Sequence, residues 1–207
     1  MRTKTAEREL AILAAAAAVF SELGIEKATM SDIVRRIGGS KSTIYSYFPT
    51  KELLVAAVLE HASEQLLQQA FHKLDADTPA ALVLASFGQV YLHCLLQPEM
   101  LGMLRIAQQH GGTLQDGSDS FYERGPLVGW SLMAEHIRQR MSRGELRSAD
   151  PWVTAMHLKG LLQAEHLDRA MFGYPVPSAQ KIGEAALLAV DVFLRAYAAK
   201  QTRAAPT

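Results

Sequence analysis

The stretch from Thr29 to Lys51, Thr-Met-Ser-Asp-Ile-Val-Arg-Arg-Ile-Gly-Gly-Ser-Lys-Ser-Thr-Ile-Tyr-Ser-Tyr-Phe-Pro-Thr-Lys, leaves this chain few options. Thr29 with Asp32 three residues on is the reciprocal pattern of a capping box, and Ile33 and Ile37 then fall on one helical face. Gly38 and Gly39 end that helix. Ser40 caps a second one, in which Ile44 and Phe48 point inward and Lys41, Ser42, Thr43, Tyr45 and Tyr47 are left outside. Pro49 stops it. Two short helices joined by a tight glycine turn describe a helix-turn-helix, whose second helix enters the DNA major groove.

The remainder has long runs without Pro or Gly in which apolar residues recur at three and four, and no convincing alternating segment, so the expected class is all-α with about nine helices. A first helix is predicted from about Thr5 to Leu23, with Leu13, Ala17 and Phe20 on its core face, closed by Gly24, with Ile25 and Met30 plugging the gap beneath. Thr50 caps a fourth helix running from Lys51 to about Leu74 along the stripe Leu54, Val58, Ala62, Leu66 and Ala70. A fifth follows with Pro79 at its first position and ends near Leu96; a sixth runs from Pro98 to Gln109. Residues 110–118 are polar and glycine-rich and read as a mobile loop. A seventh helix is expected from about Asp119 to Arg143, kinked near Gly125-Pro126. Asp150-Pro151 opens an eighth, which carries Met156, Gly160, Gln163, Leu167 and Ala170 on one face before Gly173, and Ser178 opens a ninth. From Ala185 to Val190 that last helix is apolar nearly all round, which calls for burial on two sides and makes a partner subunit the natural cover. The divisions are a helix-turn-helix domain over residues 1–50, a helical effector-binding and dimerisation domain over 51–200, and a disordered tail over 201–207.

A formal net charge of zero argues at first against a nucleic-acid partner, since phosphate neutralisation dominates such affinity. Its distribution reverses the inference. Over residues 1–51, eight bases (Arg2, Lys4, Arg8, Lys27, Arg35, Arg36, Lys41, Lys51) face five acids, giving +3, and the remainder carries −3. A basic head on an acidic body suits a reader of DNA that does not coat it unspecifically. The single cysteine, Cys94, excludes an internal disulfide and fits a reducing compartment. The apolar run Leu10 to Phe20 follows Arg2 and Lys4 as a signal peptide would, but Glu7, Arg8 and Glu9 spoil that pattern, and no apolar stretch reaches the ~20 residues of a membrane span. The expected location is the cytoplasm, with no membrane partner.

With a preceding helix ending Phe20-Ser21-Glu22-Leu23-Gly24 and a following Lys51-Glu52-Leu53-Leu54, the segment resembles the TetR-type bacterial transcription regulators over residues 8–60. That family usually shows Ala-Gly-Val-Ser where this chain has Ile37-Gly38-Gly39-Ser40, so a small apolar contact is missing and a looser turn is expected. Farther on, Phe121-Tyr122-Glu123-Arg124-Gly125-Pro126, Arg143-Gly144-Glu145-Leu146-Arg147 and Asp150-Pro151 resemble the C-terminal domain of the AefR-like subgroup, which has a tighter proline-containing turn where this chain has its glycine loop. The resemblance implies a dimer that reads a palindromic double-stranded operator and holds a small effector between its fourth and seventh helices.

Candidate DNA contacts are Thr29, Ser40, Lys41, Ser42, Thr43, Tyr45, Tyr47 and Lys51. Hydroxyls, phenols and an ammonium there can bond phosphate oxygens, and Lys41 is best placed for a guanine edge. In the family, the residues matching Thr29, Tyr47 and Lys51 contact the DNA backbone. Inward packing of Tyr45 and mere solvation of Lys41 are the plainer alternatives. Phe87, Tyr91, Met100, Met103, Leu104, Trp130 and Met133 could wall an effector pocket, with Arg105, Gln108 or His166 as polar contacts, or simply fill a core. Few charges fall on these faces, so a lipophilic or aromatic effector is expected. Met156, Gly160, Gln163, Leu167, Val190, Phe193 and Tyr197 are the expected dimer contacts.

None of the seven histidines supplies an i, i+4 pair with a third ligand, so no metal is expected. The chain has no nucleophile elbow and no phosphate-cradling glycine loop, so neither catalysis nor a cofactor is expected. The expected activity is repression relieved by an effector. The alternatives are activation or effector-independent repression on the same scaffold, or a helical protein-interaction module that no longer binds DNA.

Overall fold

The computed structural model describes residues 5–75, 77–110 and 121–199. They form α1 (Ala6–Leu23), α2 (Met30–Ile37), α3 (Lys41–Tyr47), α4 (Lys51–Gln69), a 3-10 turn (Phe71–Lys73), α5 (Ala80–Leu95), α6 (Pro98–His110), α7 (Phe121–Arg124), α8 (Pro126–Ser142), α9 (Pro151–Met171) and α10 (Ala179–Tyr197). Among the described residues there is no strand, only one antiparallel bridge between Leu146 and Ala198. The class is all-α.

Side chains expected to cap or open helices do so: Thr29, Ser40, Asp150 and Ser178 each accept from the backbone N–H three residues on, and Thr50 does the same for Leu53. Thr5, read only as the start of the first helix, caps it in the same way. These bonds satisfy donors that a helix start otherwise leaves orphaned.

Four boundaries differ from expectation, each for a local reason. α4 stops at Gln69 instead of Leu74, and the tighter turn after it carries Phe71, 4% exposed, into a cluster of rings. Pro79 stands one position outside α5, at φ −50° and ψ 138°, with no side-chain capping bond. The expected seventh helix is two, α7 and α8, parted at Gly125, where Pro126 has no N–H to continue the ladder. α9 is interrupted at Ala164, which has φ 34° and ψ −129°, a region L residues rarely enter. The expected loop lies, but for His110, outside the described residues, as do Asp119 and the tail over 201–207.

The chain clusters into two compact units. The first takes in the described residues of 1–65 and 97–126, with α6 packed on α1. On α1 the buried face is Ile12, Leu13, Ala16, Val19 and Phe20, turned slightly from the expected one, with Ala17 only half-buried. These residues pack with Ile33, Ile44, Phe48, Leu54, Val58 and Met103 in one core. Gly102 lets α6 approach α1 so closely that a Cβ there would stand 2.8 Å from Ser21 Oγ.

The second unit spans residues 66–96 and 127–207 and is built around α5, packed on α10 and α9. Gly88 makes this contact close, since a Cβ at that point would stand 2.8 Å from Leu162 and 3.3 Å from Ala186. A charge is buried here. Arg140, 2% exposed, donates to both carboxylate oxygens of Glu145 at 3.0 and 2.8 Å, to the Asp75 carbonyl at 2.6 Å and to Nε2 of His136 at 3.3 Å. Glu145 in turn accepts from the Ala80 N–H, tying the turn after α8 to the start of α5. Burial and the adjacent Arg140 cation lower the His136 pKa to about 4, so that the imidazole stays neutral and can accept.

Candidate nucleic-acid interface

The head holds its second and third helices by polar contacts at their ends. The Thr29 hydroxyl accepts from the Asp32 N–H at 3.2 Å and donates to Oδ2 of Asp32 at 2.6 Å, and the Asp32 carboxylate accepts from the Thr29 N–H at 3.0 Å. These bonds hold the Asp32 pKa below its ordinary value, chiefly through the Thr29 hydroxyl. The Ser40 Oγ accepts from the Thr43 N–H at 3.3 Å and lies within 2.9 Å of the hydroxyls of Ser42 and Thr43. Ile44 and Phe48 anchor α3 in the core at 1% and 7% exposure.

Positive charge is distributed unevenly over this scaffold. Arg36 grips Glu22 with two bonds of 2.6 and 2.7 Å, and the pair depresses the Glu22 pKa. Arg35 pairs with Asp32. Lys51 is half-buried, and its ammonium donates to the carbonyls of Ile25 at 2.9 Å and Ala28 at 3.3 Å, which closes the loop between α1 and α2. An ammonium has three protons, so one remains for another acceptor. Lys41 is exposed at the start of α3 and has no partner among the described residues. Ser42 and Tyr45 are exposed beside it, Tyr45 at 47%, and Thr43 and Tyr47 are half-buried. The Tyr47 hydroxyl accepts from the Thr5 N–H at 2.8 Å. The outer face of α3 is thus hydroxyls, a phenol and one ammonium on a rigid support, which is chemistry suited to phosphate and base edges.

The residues expected to hold an effector divide between the units. Met103 belongs to the core of the first, and Arg105 is half-buried on the same helix. In the second unit Phe87, Tyr91 and Trp130 come together, with Phe71 as a fourth ring that sequence reasoning missed. Phe87 stacks on Tyr91 at 5.4 Å between centroids, while Phe71 and Trp130 meet both edge-on at 5.0 to 5.9 Å. Met133 is fully buried and His166 is half-buried on α9. The Tyr91 hydroxyl accepts from Gln163 Nε2 at 2.7 Å and is also bonded by Trp130, and burial raises its pKa well above the ordinary phenol value. The four rings pack on one another. A groove of about 540 Å³ in this unit lies elsewhere, lined by residues of α4, α5 and α10 that include Gln69, Gln89, Cys94 and Leu187.

The residues expected at a dimer contact differ in exposure. Val190, Phe193 and Tyr197 are 3%, 0% and 7% exposed within their own chain, so these three offer a partner little surface, and half-buried Gln163 donates to Tyr91. Tyr197 is further held by His157, and the Arg147 guanidinium sits 4.6 Å from its ring centroid. Met156 and Leu167 are half-buried, and Gly160 is exposed with no atom within 4 Å of where a Cβ would stand. The apolar residues that do face outward on these helices are Val153, Leu187, Leu188 and Val192, at 47%, 51%, 65% and 43% exposure. Periodicity located the apolar helix but not its outward side, because nearly every side of it is apolar.

Two family models match the chain. The tetR family of bacterial regulatory proteins matches residues 12–58, and the C-terminal domain of AefR-like transcriptional repressors matches residues 82–199. The HTH-type transcriptional repressor Rv3405c of Mycobacterium tuberculosis is 32% identical over 161 residues, which are 70% of this chain and 84% of that protein. An uncharacterised HTH-type transcriptional regulator of Bacillus subtilis, YvdT, is 38% identical over 77 residues, so that match spans 37% of this chain and 40% of that protein. Among solved structures, a TetR-family regulator from Mesorhizobium loti superposes with a TM-score of 0.83 at 24% identity, over 95% of this chain and all of that one.

Proposed function

This chain belongs to the TetR family of bacterial regulatory proteins, and from that premise we propose that it is a homodimeric repressor released from a palindromic operator by a small lipophilic or aromatic effector. The observation that carries the DNA reading is the outer face of α3. Lys41, Ser42 and Tyr45 are exposed on a helix fixed at both ends, by the Ser40 cap and by buried Phe48. In this reading Lys41 meets a base edge, Thr43 supports the base-reading surface, and Ser40, Ser42, Tyr45 and Tyr47 contact phosphates with the backbone at Thr29. Lys51 gives phosphate its remaining proton. The site of action is the cytoplasm, where the DNA is.

Pairing supplies specificity, since one recognition helix covers few base pairs and two heads about 34 to 36 Å apart span successive major grooves. Val153, Leu187, Leu188 and Val192, with the gap left by Gly160, form the surface through which two copies pair. For the effector, the rings of Phe71, Phe87, Tyr91 and Trp130 form an apolar site whose polar handle is the Tyr91 hydroxyl with Gln163. An aromatic molecule bearing one hydroxyl replaces their mutual contacts most readily. The close packing of the four rings also favours a second reading on the same scaffold, repression without an effector.

The test is fluorescence anisotropy with DNA from upstream of the chain's own gene against an unrelated duplex, repeated with aromatic compounds while tryptophan emission is followed. Tighter binding to the upstream DNA, weakened by Lys41→Ala, supports the DNA reading, and equal binding to both duplexes refutes it. Release accompanied by an emission change that Trp130→Phe abolishes supports the effector. Binding that no compound alters favours the second reading.

A further inference from the structure

The first turn of α1 touches the helix-turn-helix at both ends of its second helix. At the far end, the Thr5 N–H donates to the Tyr47 hydroxyl at 2.8 Å. At the near end, Nη2 of Arg8 donates to the Gly38 carbonyl at 2.7 Å. Gly38 and Gly39 have φ of 69° and 111°, two consecutive residues in backbone that glycine alone enters freely. A Cβ on Gly39 would stand 2.9 Å from the same Arg8 nitrogen, so the guanidinium occupies the place of a side chain in this turn. Its acceptor is the C-cap of α2, where carbonyls lack intrahelical partners and the helix dipole favours a cation. A turn of two glycines is by itself the least constrained lead into a recognition helix, and this one is tied to α1.

We propose that Arg8 is a positioning residue for operator reading: with Thr5 it braces α3 at both ends, and it acts through Gly38 rather than as a phosphate ligand. The proposal rests on the DNA reading given above. It explains how a chain with Gly-Gly at this turn keeps an ordered recognition helix without the small apolar contact usual in its family. It also requires that loss of Arg8 leave the salt dependence of binding unchanged, because the guanidinium meets a carbonyl and not a phosphate.

The experiment compares Arg8→Ala, Arg8→Lys and the parent in two ways. Hydrogen–deuterium exchange of the free proteins is followed over residues 38–47, with α5 and α10 as internal standards of an intact fold. Binding is measured across a salt series to a duplex that the parent selects from a random-sequence pool. In Arg8→Ala, exchange over 38–47 is expected to rise while α5 and α10 keep their protection. Binding should weaken roughly tenfold, about what one net hydrogen bond supports, with an unchanged salt slope. Arg8→Lys, whose donor is only one bond shorter in reach, should recover part of both the protection and the affinity. Unchanged exchange in Arg8→Ala overturns the brace. Faster exchange with unchanged affinity overturns its role in reading. Weaker binding by Arg8→Ala with a salt slope shallower by about 0.9 makes Arg8 a phosphate contact instead. A parent that selects no duplex refutes the DNA reading, while the exchange data still decide the brace.

Discussion

Arg36 in the head and Arg140 in the body each hold a glutamate with two bonds of 2.6 to 3.0 Å, yet the two pairs do different things. Arg36 and Glu22 are 42% and 57% exposed, so water screens their attraction and Arg36 can exchange its partner for a phosphate or another anion. Arg140 is 2% exposed and has traded water for a carboxylate, a carbonyl and an imidazole, none of which it can leave without stranding a charge. The lesson is that similar ion-pair geometry serves a surface that must meet another molecule in one unit, and fixes chain segments 65 residues apart in the other. The head's caps and pairs leave its field open to a polyanion, while the body's buried charge is structural.

The sharpest way to break this contrast is to remove one partner from each pair. Arg140→Ala should destabilise the protein by about 3 to 5 kcal/mol, read as a lower urea midpoint, because Glu145 and the Asp75 carbonyl lose their donor inside the fold. Acid should probe the same network more gently. His136 is held neutral with a pKa of about 4, so the unfolded chain takes up a proton first as pH falls below about 6.5, and stability is lost progressively down to pH 4. Above pH 6.5 that contribution is complete. Urea midpoints between pH 7 and 5 check this, and His136→Asn should flatten the slope. Asp75 and Glu135, whose pKa values lie near 2, take up protons in the unfolded chain around 3.8 and 4.5, so they add to the loss only at the acid end of this range. In the head, Asp32→Ala removes one half of the capping box and should cost about 1 kcal/mol by the same assay. Arg36→Ala should cost between about 0 and 1 kcal/mol, and less in high salt. An Arg36 variant as damaging as the Arg140 one would erase the distinction.

The head was largely readable in the sequence because its determinants are local. Thr29 with Asp32, Ser40 and Thr50 act on backbone groups within three residues, and Gly24 and Gly38 adopt the positive φ their helix ends need. Body features that depend on distant segments were not readable. Arg140 at the end of an amphipathic helix looks like any surface arginine until Asp75 and Glu145 are brought to it. Phe193 looked like an anchor for a partner because α10 is apolar on most sides, and only its packing on α5 and α9 decides that Phe193 lies inside and Leu188 outside. Lys51, read as a phosphate contact, spends two of its bonds on the α1–α2 loop, a use that no short motif announces.

The claim that the head reads DNA only as one of a pair, and that the body supplies the pairing, is tested most directly with Leu188→Asp. Leu188 is 65% exposed, so a charge there leaves the chain's own core intact. Sedimentation velocity with and without the DNA selected by the parent should show a folded monomer that has lost specific binding, where the parent sediments as two chains per duplex. A Leu188→Asp monomer that binds the selected duplex as tightly as the parent would contradict the account.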